Sequence, residues 1–351
     1  MIKPDRQYWN ILKGIGIFCV VLGHASGFFH DFVYAFHLPL FFFISGFMYS
    51  EEKYGDRPYF NLINRLKSSW INYVWIYWII LILHNTLIRW GLMPDGTAYF
   101  NIFDLVKALV LAMLGTANEL MGGTLWFVPV LVLSNAFLGF IVYFSRKISK
   151  KFESVSLKFV VQVCLVIVCI PIGWKVAGVL MPCNLQVVFL VVFFQWIGYL
   201  LRNYGKDIQR YLDPCVALIF MIVVWMISKK HPLDLIFGNV YIGMYTVAFM
   251  GIYLCMVLAV YVQRLRIISR IIAYMGQCSF WIMVLHFPII KIIDKIWALH
   301  IGDVDRQLYL TLPHSFSNMW PIYILLGIGV PVCSYTIYIK IKGKIHAQTN
   351  R

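Results

Sequence analysis

The chain has 351 residues, of which 61% are hydrophobic and only 13% charged, and it carries a formal net charge of +15. Soluble domains hold roughly a quarter charged residues, so a pair of water-soluble domains is excluded and a polytopic membrane protein is expected. The basic residues fall in small clusters between apolar runs, as the positive-inside rule arranges them, which excludes a nucleic-acid partner.

Lys3 and Arg6 precede the first apolar run, but no small-residue cleavage site follows it, so a retained first span is expected rather than a removed signal peptide. A membrane helix needs about 20 apolar residues, or about 17 at the short end. Ten stretches qualify: 14–30, 32–50, 70–90, 125–145, 159–175, 185–201, 214–228, 240–261, 272–291 and 320–340. The run 103–117 is short and carries Asp104 and Lys107, so it is expected to lie on the outer surface or re-enter. With it left out, 22 of the 30 Lys and Arg residues fall on one side, which predicts that both termini are cytoplasmic. The expected fold is therefore an all-α polytopic integral membrane protein of about ten transmembrane helices, multi-pass in a plasma or inner membrane and in contact with its lipids. The outer loops 91–124 and 292–319 are long enough to cover a ligand opening. The eight cysteines lie mostly in apolar runs without metal-ligand spacing, and no metal site is expected.

Lys13 to Gly46 holds the densest polar chemistry: His24, His30, Asp31 and His37 are set in or between two apolar segments. An ionisable group inside a membrane span is costly and marks a candidate functional site. Lys13 and His24 are eleven residues apart, within about 20° of one helix face and about 16 Å apart along the axis. That spacing suits an anionic ligand held at Lys13 whose reactive end reaches His24. A packing histidine and a topology charge are the alternatives. Asp31 follows His24 by seven residues, on the same face if the helix persists, where it orients the imidazole or simply forms a turn. His37 opens the second span and either bonds a hydroxylic substrate or packs at the interface. Further candidates are Arg65, a second cation for the ligand or one more topology charge; Glu119, a capping residue or a substrate contact in the glycine-rich approach to the fourth span, with Trp126 beyond it; and His286, just before Pro288. Gln162, Gln186, Gln195 and Gln277 are the remaining polar groups in or beside the spans.

The segment Lys13-Gly14 through Val21-Leu22-Gly23-His24, followed by HLPLFFFISG from His37 to Gly46, resembles the membrane-bound acyltransferase-3 family, and within it the fucose 4-O-acetylases and other surface-glycan O-acetyltransferases. GTLWFVPVL at Gly123–Leu131 and MGQCSFWIMVLHFPI at Met275–Ile289 extend the likeness over nearly the whole chain. Lysine stands at position 13 where the family usually has arginine, which keeps the cation and loses the planar two-donor fork. The resemblance implies a single transmembrane acyltransferase domain over 1–345 with a short cytoplasmic tail, 346–351. It also implies transfer of an acyl group, usually acetyl, from cytoplasmic acyl-CoA to a hydroxyl of a cell-surface or lipid-linked glycan. His24 is then the general base, with Asp31 and His37 beside it. Lys13 and Arg65 hold the phosphates of acetyl-CoA, and Glu119, Trp126 and His286 contact the acceptor. A transporter or flippase, a membrane sensor, and acyl transfer to a non-glycan acceptor are the alternatives that residue chemistry leaves open.

Overall fold

The computed structural model describes residues 5–116, 118–205, 208–236, 238–302 and 317–349. Among them the chain is helical throughout, with one isolated antiparallel bridge between Asp234 and Asn239. Helix α1 spans Arg6–Ala25; its N-cap is Asp5, whose carboxylate accepts the Gln7 N–H at 3.0 Å. It stops at Ser26, which is extended at φ −136° and ψ 116°. Helices α2 (Gly27–Tyr34) and α3 (His37–Phe47) follow, with Pro39 tolerated in the first turn of α3. The first two expected spans thus lie several residues earlier than predicted, because the cap at Asp5 and the break at Ser26 set the register.

After α4 (Glu51–Tyr54), α5 (Pro58–Arg65) runs through a π-turn at Leu66–Trp70 into α6 (Ile71–Ile82), and α7 (His84–Arg89) follows. Helix α8 (Ile102–Met113) opens with an Asn101–Asp104 capping box and lies along α6. The Trp78 indole donates to the Leu109 carbonyl at 3.0 Å and the Trp70 indole to the Met113 carbonyl at 3.1 Å. The chain then turns back, so that Gly122 rests against Tyr77. Helix α8 and the turn at Leu120–Gly122 thus both lie against α6.

The remaining helices are α9 (Phe127–Lys151), α10 (Val155–Val176), α11 (Leu185–Tyr204), α12 (Pro214–Lys230), α13 (Met244–Arg264), α14 (Arg266–Gln277), α15 (Ser279–Ile301) and α16 (Trp320–Thr349). Seven segments among the described residues are long and apolar enough to cross a membrane: 6–25, 27–47, 127–151, 155–176, 182–204, 244–264 and 320–342. The other three expected spans differ for separate reasons. The α6 segment has 12 residues after its π-turn, and α12 has 17. The expected span 272–291 is split at Cys278, and α15 carries Lys291, Asp294 and Lys295. The expected covering loop 292–319 is helical as far as Ile301, and 303–316 lie outside the described residues.

Helix α1 is central. It packs on α2, α3, α13, α14, α15 and α16, most closely on α14. A Cβ at Gly14 would lie 2.0 Å from the Ile272 carbonyl oxygen, so only glycine allows that approach. The buried amides serve helix contacts: Gln195 donates to Ser134 at 2.9 Å, and Gln162 donates to Ser145 at 3.0 Å and accepts from Trp196 at 3.2 Å. Past the end of α3, the Glu51 carboxylate accepts from Arg146 of α9 at 2.9 Å, Lys158 of α10 at 2.6 Å and Tyr199 of α11 at 2.5 Å. One carboxylate thus ties three helices to the short α4.

Candidate active site

The helices enclose a cavity of about 800 Å³, mostly apolar, with polar groups at two places. The first is the stripe that α1 presents at helical spacing: Ile17, Val20 and His24 all line the cavity, and Lys13 is one turn before Ile17 on the same face. The His24 ring lies edge-on to Tyr34 and Phe287, with centroids 5.8 and 5.7 Å away, and 5.1 Å from the ring of His286. The Tyr34 hydroxyl stands 3.4 Å from both nitrogens of His24, a long contact that prefers neither. Gly23 admits Tyr34 to this place, since a Cβ there would come within 2.9 Å of the tyrosine ring.

Tyr34 also contacts His37 at 4.7 Å and His30 at 3.9 Å between centroids. His37 is buried and lines the cavity, and its Nδ1 is 2.8 Å from the Val33 carbonyl. A carbonyl only accepts, so Nδ1 carries the hydrogen and Nε2 is left as a lone pair. His286 sits behind His24 on α15, outside the cavity wall, and makes the same contact through Nδ1 to the Ile282 carbonyl at 2.8 Å.

The second polar place is the loop before α9. Glu119 is buried and lines the cavity, as does Trp126. One Glu119 oxygen is 2.8 Å from His84 Nδ1, while Nε2 of the same ring donates to the Ala98 carbonyl at 3.0 Å. Phe100 stacks on that ring at 3.6 Å. Since Nε2 must hold a hydrogen for Ala98, one further proton is shared between Nδ1 and the carboxylate. Burial pushes the Glu119 carboxyl above its usual range, with His84 offsetting part of the effect. Its other oxygen, Oε1, is buried without a hydrogen-bond partner among the described residues. That orphaned acceptor is suited to a hydroxyl group.

Lys13 and Arg65 lie apart from the cavity wall. Both are half-buried. Among the described residues neither has a carboxylate partner. No group of three His, Cys, Asp or Glu side chains among the described residues is placed to hold a metal ion.

The acyltransferase domain of the acyltransferase-3 group matches residues 6–339. The chain belongs to the acyltransferase-3 family. No curated protein and no solved structure matches it.

In this acyltransferase the expected site residues separate into groups. His24, His37, Glu119 and Trp126 share one cavity; His286 stands behind His24; Lys13 and Arg65 lie off the cavity wall, on α1 and α5. Asp31 is a correction. The helix does not persist past Ser26, and the Asp31 carboxylate pairs instead with Lys229 of α12 at 3.1 Å. Tyr34 and His84 were not singled out from sequence. His84, a histidine within an apolar run, carries the signal that marked His24, and Tyr34 carries none. Lys291 and Asp294 were also passed over. They are fully buried, 3.4 Å apart, and the Tyr323 hydroxyl donates to the other Asp294 oxygen.

Proposed function

We propose that this acyltransferase moves an acyl group, acetyl in the simplest case, from acyl-CoA to a hydroxyl of a lipid-linked or cell-surface glycan, with His24 as the general base. The observation that carries the reading is the stripe of α1, which leads from Lys13, a cation without a carboxylate partner, to His24 on a large cavity, with Arg65 of α5 as a second such cation. The coenzyme's phosphates bind at Lys13 and Arg65, and its arm follows Ile17 and Val20 to place the thioester beside His24. The acceptor enters from the loop side, where Glu119 Oε1 and Trp126 take a sugar hydroxyl and a sugar face. A sugar hydroxyl is a weak nucleophile, and a neutral imidazole within hydrogen-bond reach takes its proton during attack. The oxygen bonds to the thioester carbon, the carbon–sulfur bond breaks, and the imidazolium returns the proton to the leaving thiolate. His37 Nε2 is a second acceptor on the same wall.

The proposal places ten crossings in a plasma or inner membrane, with both termini cytoplasmic so that acyl-CoA reaches Lys13 from the cytoplasm. The basic clusters support this orientation. A cysteine at position 150 is then shielded from impermeant reagents in intact cells, and one at position 95 is labelled. The enzymatic test is purified protein in detergent with labelled acetyl-CoA and a surface glycan. The expected product is an acceptor heavier by one acetyl group, with coenzyme A released in equal amount. Binding of acetyl-CoA without transfer to any hydroxyl acceptor, or hydrolysis alone, overturns the glycan reading.

A further inference from the structure

We propose that His286 is a positioning residue for the reaction: its Nε2 accepts the N–H of the His24 ring and leaves the other nitrogen of His24 as a lone pair facing the cavity. The inference rests on His24 being the base. The first observation is the tautomer of His286. Its Nδ1 is 2.8 Å from the Ile282 carbonyl, which can only accept, so the hydrogen is on Nδ1. The second is what remains. His286 has no exposed surface, and its Nε2 has no hydrogen-bond partner among the described residues. An unpartnered polar atom at full burial is costly and calls for an explanation.

The third observation is who stands opposite. The His24 ring lies 5.1 Å from the His286 ring at 45°. The Tyr34 hydroxyl is equally far from both His24 nitrogens, so it does not choose between them. His286 is the neighbour able to choose. A short closing movement turns the ring contact into a hydrogen bond, and catalytic hydrogen bonds are often long before substrate binds. Pro288, two residues on, removes a backbone donor from α15 and loosens the turn that carries His286. The arrangement uses a neutral imidazole where other acyl-transfer sites use a carboxylate to hold the base. The carboxylate on the same helix, Asp294, is already held by Lys291 and Tyr323.

During attack His24 carries the proton, so its bond to His286 becomes charge-assisted. Losing such a bond costs about 10- to 100-fold in rate. The experiment compares His286→Phe, which keeps a ring and loses the acceptor, with His286→Gln, whose amide oxygen has similar reach. Each is tested alone and with His24→Gln, measuring kcat, acceptor KM and acyl-CoA binding. The expected result is a kcat lowered 10- to 100-fold in His286→Phe with acceptor KM unchanged, substantial recovery in His286→Gln, and no further loss when His286→Phe is added to His24→Gln. If His286→Phe does not fold, His286→Met, a flexible chain without a nitrogen acceptor, takes its place. An unchanged kcat, or a raised acceptor KM at constant kcat, overturns the proposal and makes His286 a packing or acceptor-binding residue. Near-normal turnover by His24→Gln instead overturns the base reading itself, so the two failures are told apart.

Discussion

Two buried polar clusters in this acyltransferase contrast in how fully they are satisfied. At Glu51 one carboxylate receives three donors from three helices, and burial, which alone would raise its pKa, is outweighed by Lys158, Tyr199 and Arg146, so that the carboxyl is held below its usual range. Around His24 the reverse holds. Tyr34 stands at a distance, His286 keeps an unpartnered nitrogen, and the cavity runs alongside. Saturated polar groups hold helices together, because every donor and acceptor is already used. Groups left with spare capacity beside a cavity are the ones that can take a substrate or a proton.

The contrast makes the two clusters respond differently to mutation. The largest effect is expected at His24: replacement by Gln lowers transfer by about 10²–10⁴-fold while thermal unfolding and acyl-CoA binding stay close to the parent. A variant turning over near the parent rate moves the base elsewhere, with His37 first in line. Next is Lys13. Lys13→Glu weakens acyl-CoA binding by about 10- to 100-fold, the worth of a charged hydrogen bond reversed in sign, whereas Lys13→Arg keeps or improves it. Titration of the donor measures this, and an unchanged affinity returns Lys13 to a topology charge.

At the saturated cluster the loss is in stability. Glu51→Gln removes the negative charge that Lys158 and Arg146 share, Arg146 keeping Asp56, and is expected to cost about 1–3 kcal/mol by thermal or denaturant unfolding in detergent, with the transfer rate per folded molecule retained. If activity falls with stability untouched, Glu51 belongs to the chemistry instead. The smallest effect is on pH dependence. Glu51 is depressed below its usual 4.5, so its contribution is full above that value and is lost as pH falls through the lowered one. Glu119 is raised above 4.5, so its contribution is full below that value and is lost as pH rises through the raised one. Unfolding temperatures from pH 3 to 7 should therefore lose their acid dependence in part in Glu51→Gln. Glu119→Gln removes a dependence of opposite sign, and the same slope in both variants would contradict the assignments.

Features legible in the residue order are local or periodic. Apolar runs of sufficient length predicted a membrane-embedded helical chain, and the 3.6-residue period put Lys13 and His24 on one face of α1, an unbroken helix across both positions. The motifs at Lys13–Gly46 and Gly123–Leu131 were enough for the family. Tertiary structure decided which side chains meet across helices. Glu119 finds His84 from 35 residues away, and Asp31 is taken by Lys229 at a separation of 198. Asp31 was misplaced because its predicted face required an unbroken helix, and a single extended residue, Ser26, rotates everything after it. Lys291 and Asp294 were passed over because each is costly alone in an apolar setting, and only the packing of α15 against α16 brings Tyr323 to complete their pairing. Periodicity reports the face of one helix. The partner on that face is set by packing and by loops whose lengths the pattern does not encode.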